Sequence, residues 1–249
     1  MAPTIPLPDD ITRTVFDALL AEYPSVLQSV AAAKGKPKPG QKTLSQVDEY
    51  RYVDAPNAFG VDGPRREGMG LEDVKMLVEW KLRHGTFRPN LMTLITSNPP
   101  PSIPPAIQSA LTIYKSTSAK AALPPLTALR GIGPATASLI LAVHDPAHAI
   151  FFSDEAFRWL CRGGESRAPI RYTAAEYGEL CVRAEVLVRR LGVKAVEVER
   201  VAFVLMSGQS GKTAVKPAMK PTVKPVVKKR ASSPADAGTG LRRSKRLKA

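Results

Sequence analysis

The chain has 249 residues, of which 44% are hydrophobic, a length and apolar share that suit one globular domain with a tail. No run of about 18 or more apolar residues and no signal-peptide pattern occurs, so we expect neither a membrane span nor secretion. Cys161 and Cys181 lack the spacing of a four-thiolate site, so we expect no metal or cofactor. The formal net charge of +14 is uneven, with +11 in residues 207–249 and +3 in residues 1–206, so the folded part is nearly neutral.

The beginning of the chain carries an amphipathic helical pattern. Residues 10–22 place apolar side chains on one stripe, which predicts a helix. We expect Tyr23-Pro24 to end this helix, with a restart over residues 25–33. Residues 35–40 are a Lys/Pro/Gly linker, so residues 1–43 are predicted to form an N-terminal helical segment and linker.

Residues 44–206 read as an all-α domain, because the apolar period is helical and strand signals are few. The stretch opens with a short mixed segment at residues 44–52. Six glycines and prolines within residues 53–70 predict a long loop. Thr173 with Glu176 forms a capping box, and Gly192 stands where a helix would end. The domain is expected to hold roughly eight to ten helices, among them residues 71–84, 89–97, 105–116, 123–129, 173–191 and 196–206.

The segment at residues 123–144 predicts a helical hairpin. Gly131 and Gly133 flank Ile132 between two helical patterns, permitting positive φ and close backbone approach while Ile132 fills the gap between the helices. Pro134 suits the first turn of the second helix. The free N–H groups and positive dipole end of that helix would hold a phosphate without reading any base. The alternative is an ordinary turn between two helices. The predicted DNA-backbone site comprises Gly131, Ile132, Gly133, Ala135 and Thr136.

Asp154 is the candidate catalytic acid, with Glu155 in reserve. It lies at the start of an apolar helical pattern, where a carboxylate beside apolar walls would stabilise oxocarbenium character at a flipped nucleoside and position the attacking water. The alternative is a plain helix N-cap, in which Ser153 or Asp154 accepts the first free N–H groups.

Several other side chains have competing interpretations. His144 and His148 are separated by Pro146, which argues against a shared metal site. Trp80 and Trp159 would stack on a base or, on amphipathic helices, belong to the core, and the core is favoured. Three basic residues lie near the end of the helix predicted at 71–84, namely Lys81, Arg83 and Arg88. They would face either phosphates or solvent.

Residues 207–249 predict a disordered, Lys/Pro-rich basic tail. They hold twelve Lys and Arg, one acid and no aromatic residue, so they cannot bury enough apolar surface to offset the entropy of ordering. Two basic clusters resemble a bipartite nuclear-import signal, and the alternative is a generic phosphate-attracting tail. Both interpretations favour the nucleus. The clusters consist of Lys228, Lys229 and Arg230, and of Arg242, Arg243, Lys245 and Arg246.

The glycine string at residues 131–138, followed by an aspartate opening the next helix, resembles the helix-hairpin-helix DNA glycosylase superfamily. With residues 79–89 and 152–156 it is similar, over residues 44–206, to the eukaryotic Amun-like group. The resemblance implies a glycosylase-like helical fold that binds duplex DNA and places Asp154 at the superfamily's catalytic aspartate. Ala135 stands where bifunctional members carry a lysine, and no iron–sulfur cysteine loop is present, so the implied activity is monofunctional.

Two functions are consistent with these features. The first is a nuclear, metal-free, monofunctional glycosylase that hydrolyses the N-glycosidic bond of a damaged or mispaired base. The second is a catalytically inactive, glycosylase-derived module that binds DNA or chromatin proteins, which the nearly neutral domain favours. Nuclear import receptors are further expected partners.

Overall fold

The computed structural model describes residues 5–35, 37, 39–61, 63 and 68–210, with side chains as far as residue 207. These residues lie in one compact unit and contain helices but no β-strand, which confirms the predicted all-α class for the described part of the chain. A π-helical turn (Tyr50–Asp54) and a 3-10 turn (Pro100–Ser102) accompany α1 (Arg13–Lys34), α2 (Leu44–Glu49), α3 (Ala55–Phe59), α4 (Leu71–His84), α5 (Leu91–Thr96), α6 (Ile103–Ser116), α7 (Leu123–Thr127), α8 (Pro134–His144), α9 (Asp154–Arg162), α10 (Ala174–Leu191) and α11 (Ala195–Ser210).

The helix α1 is continuous through Pro24, so the expectation that Tyr23-Pro24 ends it was wrong. Tyr23 and Leu27 on either side of the proline are both buried, and α1 packs against α11 and α2. Tertiary burial of the helix face therefore outweighs the cost of about 3 kcal/mol that an interior proline carries.

The region predicted to be a mixed segment and a long loop is partly helical. Thr43 and Gln46 form a capping box that starts α2, which passes through the π-helical turn into α3. Pro56 sits in the first turn of α3, where its missing N–H costs little, and Ala55 and Phe59 are buried. Inward apolar spacing across the glycine- and proline-rich sequence thus outweighs the loop signal as far as Phe59.

Capping residues correctly predicted the boundaries of α4 and α10. The capping box of Thr173 with Glu176 starts α10, and Gly192 ends it in the left-handed region at φ 65°. The helix α4 occupies the predicted residues 71–84 and ends at Gly85, whose N–H donates to the carbonyl of Lys81. These predictions are confirmed because each signal acts within one turn of the boundary it sets.

The helix α8 forms the centre of the core. Every residue from Ala135 to His144 is buried, and α3, α4, α7 and α10 pack around it. A helix that is apolar all round has to be enclosed by protein. The fold therefore surrounds the second helix of the predicted hairpin and leaves its N-terminus at the surface of a cavity.

None of the helices in the described part of the chain is both long and apolar enough to span a membrane. The helix α11 continues to Ser210, four residues beyond the predicted end at residue 206. From residue 211 onward the predicted disordered tail, with both basic clusters, lies outside the described residues.

A buried ion pair joins the π-helical turn to α11. The Arg51 Nη2 lies 3.1 Å from Glu199 Oε2, with side-chain exposures of 0% and 2%. Glu199 Oε1 accepts the backbone N–H of Phe151 at 2.6 Å. Burial raises the pKa of Glu199, and the Arg51 charge opposes this shift. A single carboxylate thus holds two distant segments to α11.

Replacing Glu199 by Gln should remove the charge that pairs directly with the buried guanidinium of Arg51 and should lower the free energy of unfolding by about 3–5 kcal/mol. Adding Arg51→Met removes that unpaired charge, so the double variant should regain more than half of the loss. Urea unfolding of both variants measures this. Strictly additive losses would show that the two side chains do not interact energetically.

Candidate functional site

The predicted hairpin is present between α7 and α8. Gly131 adopts φ 78°, and a Cβ there would lie 2.8 Å from Leu94 Cβ of α5. Ile132 is buried at 3% exposure, as predicted for a residue that fills the gap between helices. Gly133, where glycine would permit positive φ and close approach, has φ −89° and open space beside it and so uses neither property. Only Gly131 is required by the backbone path and by close packing.

The turn is held in place by Asn98, whose role the sequence did not reveal. The side-chain amide of this buried residue donates to the carbonyl of Arg130 at 2.9 Å and to that of Ile95 at 2.9 Å. Its Oδ1 accepts the N–H of Arg130 at 2.8 Å. The only sequence signal was an asparagine ending an apolar helix, and a partner 32 residues away has no local signature.

The N-terminus of α8 offers unpaired amides. Gly133 is the N-cap, and its carbonyl accepts the N–H groups of Thr136 and Ala137. Within the described residues, the N–H groups of Gly133 and Ala135 have no acceptor. The eleven-residue helix thus presents two free donors at its positive end, which is the arrangement typical of anion sites at helix N-termini. Thr136 and Ile132, also predicted to contact DNA, use their N–H groups within the protein.

The segment before Asp154 is fixed by buried hydrogen bonds. Glu199 accepts the N–H of Phe151, and Ser138 Oγ of α8 accepts the N–H of Phe152 at 2.9 Å. Ser138 also donates to the carbonyl of Ala135 at 3.0 Å. These bonds tie the chain that enters α9 to both the core and the first turn of α8.

Ser153, rather than Asp154, caps α9. Its side chain accepts the N–H of Ala156 at 3.0 Å, while Asp154 is the first residue of the helix. Of the two residues that the cap interpretation allowed, the serine has the role. The carboxylate of Asp154 is therefore available for other contacts.

Asp154 is held by a strained tyrosine and an arginine. The hydroxyl of Tyr172 donates to Asp154 Oδ1 at 2.5 Å, and Arg158 Nη1 lies 3.5 Å from Oδ2. The Asp154 side chain remains 27% exposed. Tyr172 adopts φ 56°, a conformation that costs an L-residue about 1–2 kcal/mol. Burial and the bond to Asp154 raise the pKa of Tyr172, so its hydroxyl stays protonated as the donor.

Glu155, the reserve acid, borders the same cavity. Its pKa is raised by burial and by the neighbouring charge of Asp154. Lys34, the last residue of α1, lies nearby and donates to the carbonyls that end α4, at Arg83, His84 and Gly85. The N-terminal helix therefore contributes one wall of the cavity.

Lys81 reaches the start of α8 from α4. Its Nζ donates to Thr136 Oγ1 at 2.8 Å, and burial lowers its pKa to about 8. Arg88 also lines the cavity, whereas Arg83 lies 3.8 Å from Glu79 and does not. Of the three basic residues singled out in the sequence, two thus face the candidate site.

A cavity of about 710 Å³ brings these groups together. This volume lies within the range of about 300–1,000 Å³ typical of small-molecule sites. Polar and apolar residues from α4, α8, α9 and their flanking segments share its lining, which includes Lys81, Arg88, Gly131, Gly133, Ala135, Thr136, Phe152, Asp154, Glu155, Arg158 and Tyr172.

The remaining candidates have structural roles or none. Trp80 and Trp159 are fully buried, which confirms the core interpretation, although Trp80 also borders the cavity. Cys161 and Cys181 are half-buried, and burial raises the pKa of each thiol, to about 12 and about 11. Among the described residues, no group of three or more His, Cys, Asp or Glu is placed to hold a metal ion.

No protein-family model, curated protein or solved structure matches the chain. The resemblance to the helix-hairpin-helix glycosylases therefore stays a prediction that rests on the residues quoted for it. The predicted import clusters, Lys228 to Arg230 and Arg242 to Arg246, lie outside the described residues and stay predictions as well.

The two hairpin glycines should respond differently to substitution. Gly131→Ala forces an L-residue into the left-handed region and against Leu94, so unfolding free energy should fall by about 2–4 kcal/mol. Gly133→Ser should change it by at most about 0.5 kcal/mol, since the position is open and serine is a good N-cap. Thermal or urea unfolding measures both, and equal losses would contradict this account of the turn.

Proposed function

We propose that this chain is a nuclear DNA-binding protein of the helix-hairpin-helix DNA glycosylase type, which hydrolyses the N-glycosidic bond of a damaged or mispaired base in base excision repair. One observation carries the proposal: the unpaired amides of Gly133 and Ala135 and the carboxylate of Asp154 border the same cavity. Removal of an extruded base requires a site that binds the DNA phosphates and a carboxylate that reaches the sugar, and here both border one cavity.

The N-terminus of α8 would bind the DNA backbone. Its two unpaired amides and dipole end attract a phosphate, and Gly133 keeps the approach open because it has no side chain. Arg88, which lines the same cavity, adds positive charge. Such contacts give salt-sensitive, sequence-independent affinity for duplex DNA, to which the basic tail would contribute.

Asp154 would serve the chemical step. With Tyr172 and Arg158 fixing its oxygens, the carboxylate is oriented where an extruded nucleoside would enter. Bond cleavage develops positive charge at the sugar carbon, which an adjacent carboxylate stabilises while it orients the attacking water. The reaction needs neither a metal nor a cofactor.

The tail would bring the protein to the nucleus through import receptors that read its two basic clusters, Lys228 to Arg230 and Arg242 to Arg246. Its positive charge suits contacts with DNA and with acidic chromatin proteins.

A second function, an inactive module that binds DNA or chromatin, is favoured by the two contacts of the Asp154 carboxylate. Each oxygen of Asp154 already has a partner, Tyr172 on Oδ1 and Arg158 on Oδ2. A carboxylate so engaged can act as a structural link between α9 and the segment before α10.

A panel of duplexes, each with one damaged or mispaired base, separates the two functions. Wild-type protein should release the base from at least one duplex, and Asp154→Asn should slow that release by about 100-fold or more, the usual size of an acid–base contribution. Base release and alkali-revealed strand breaks are the readouts.

Glu155→Gln is the matched control for Asp154→Asn. It removes a carboxylate from the adjacent residue and should leave the rate within about threefold if Asp154 carries the chemistry. Release unaffected by Asp154→Asn would remove Asp154 from the mechanism. Duplex binding without release on any substrate would establish the inactive module.

A separate pair of variants tests DNA-backbone binding at the N-terminus of α8. Gly133→Asp and Gly133→Asn are both good N-caps and should leave thermal stability nearly unchanged. The aspartate charge should repel a phosphate and weaken duplex binding by about tenfold or more relative to the asparagine variant. Fluorescence anisotropy at fixed salt measures this, and equal affinities would refute a phosphate site at α8.

A further inference from the structure

Lys81 is a basic residue of the cavity wall that has no carboxylate partner. It comes from the last turn of α4, and within the described residues its Nζ forms one hydrogen bond, to Thr136 Oγ1 at 2.8 Å. No acid in the described part of the chain forms an ion pair with it. A neutral hydroxyl therefore holds the amine at the first turn of α8, on the cavity that Arg88 also lines.

The surroundings of Lys81 disfavour its ammonium form. Burial is the main cause of its lowered pKa, about 8, the positive charge of Arg88 adds to the shift, and Asp154 opposes it. His84, whose pKa is lowered to about 3, and Tyr172, whose pKa is raised, are neutral at physiological pH. The charged groups that line the cavity within the described residues are four cations and two acids, namely Lys34, Lys81, Arg88 and Arg158 with Asp154 and Glu155. An excess of positive charge stabilises a group that becomes negative there.

Hydrogen-bond donors for such a negative group lie next to the amine. The N–H groups of Gly133 and Ala135 have no acceptor within the described residues, and both residues line the same cavity just before Thr136 in the chain. An acyl group would make the Lys81 nitrogen neutral, and a protonated imine would leave it positive. Carbon dioxide instead converts the amine into an anion, which free amides and the charge of Arg88 stabilise.

We propose that Lys81 is a carbamylation site, at which the amine takes up carbon dioxide reversibly and forms an N-carboxylate beside the free amides of α8. The inference is independent of the proposed function, because it requires only the cavity and the groups that line it. It assigns to Lys81 a modification that replaces its positive charge by a negative one.

The reaction needs neither an oxidant nor a reductant. The lone pair of the neutral amine forms an N–C bond to carbon dioxide, and one C=O electron pair moves onto oxygen. The nitrogen then releases a proton to water, which leaves the anion R–NH–COO⁻. Protonation of the nitrogen reverses the step, because the N–C bond breaks and carbon dioxide leaves.

Thr136 is compatible with both forms of Lys81. Its residue is 2% exposed, and its hydroxyl accepts from the amine. A carbamylated nitrogen keeps one N–H, so it can still donate to Thr136 while the new carboxylate turns toward α8. The lining of the cavity would then hold three cations and three anions, and its attraction for any other anion would fall.

Isotope-labelled carbon dioxide tests the proposal on the full-length protein. Carbon NMR detects the carbamate, and alkylation with a trialkyloxonium salt converts it into a stable ester that peptide mapping can locate. The label should map to Lys81. The α-amino group, with an ordinary pKa of about 7.7–8.0, is the internal reference for an amine of similar basicity in solvent. Lys81 should be labelled at least about threefold more, because cations and free amides surround it.

Two pairs of variants separate the site from its surroundings. Lys81→Arg should lose the label, because a guanidinium stays protonated, and Lys75→Arg should not change it, since Lys75 pairs with Glu72. Arg88→Gln should reduce labelling of Lys81 by about tenfold or more, because it raises the pKa of the amine and removes a charge that stabilises the product. Arg83→Gln is its control, since Arg83 lies beside Glu79 and does not line the cavity.

The pH dependence of labelling distinguishes Lys81 from the other lysines. At a fixed concentration of dissolved carbon dioxide and low occupancy, labelling of Lys81 should rise about 100-fold per unit well below pH 8, because each ammonium releases two protons. Above pH 8 only the second proton is released, so the rise should slow to about tenfold per unit until the site saturates. A lysine in solvent, with a pKa near 10.4, should keep the steeper rise throughout this range.

Three results would overturn the proposal. They are label on the α-amino group or the tail lysines with none on Lys81, labelling of Lys81 no greater than that of the α-amino group, and equal labelling of Lys81 in Arg88→Gln and Arg83→Gln. Label on Lys81 that depends on Arg88 supports it, whether or not the protein releases a base from any duplex.

Discussion

The buried carboxylate of Glu199 is the interaction on which the site depends. One oxygen neutralises Arg51 of the π-helical turn, and the other accepts the N–H of Phe151, three residues before Asp154. Arg51 also lies 4.9 Å from the ring centroid of Tyr52 and 5.5 Å from that of Trp80, so the pair is enclosed by aromatic rings. Desolvating two charges is costly, and the direct pairing of Arg51 with Glu199 offsets part of that cost. The same carboxylate also fixes the path of the chain into α9 through its bond to Phe151.

The cavity unites groups that are far apart in the chain. Lys81, Thr136 and Asp154 come from α4, α8 and α9, and Tyr172 precedes α10. The common neighbour is α8, which is buried from Ala135 to His144 and presents its N-terminus to the cavity. The strained backbone of Tyr172 is the local cost of bringing its hydroxyl to Asp154, and strain of this kind concentrates at functional sites.

Features that local signals determine can be predicted from this sequence. Examples are the helical class, the hairpin at Gly131, the position of Pro134 and the start of α10 at Thr173, each of which depends on residues within one or two turns. The helical structure at Pro24 and at residues 53–59 could not be predicted, because burial against distant helices there outweighs the helix-breaking residues. The hydrogen bonds of Asn98 to Arg130 and of Lys81 to Thr136 could not be predicted, because each joins residues that lie 32 or 55 positions apart in the chain.

The hydroxyl of Ser138 links the first turn of α8 to the chain that enters α9. It donates to the carbonyl of Ala135 in the first turn of α8 and accepts the N–H of Phe152, two residues before Asp154. One oxygen atom therefore connects the first turn of α8 to the chain that carries Asp154, so a substitution of Ser138 would disturb both segments at once.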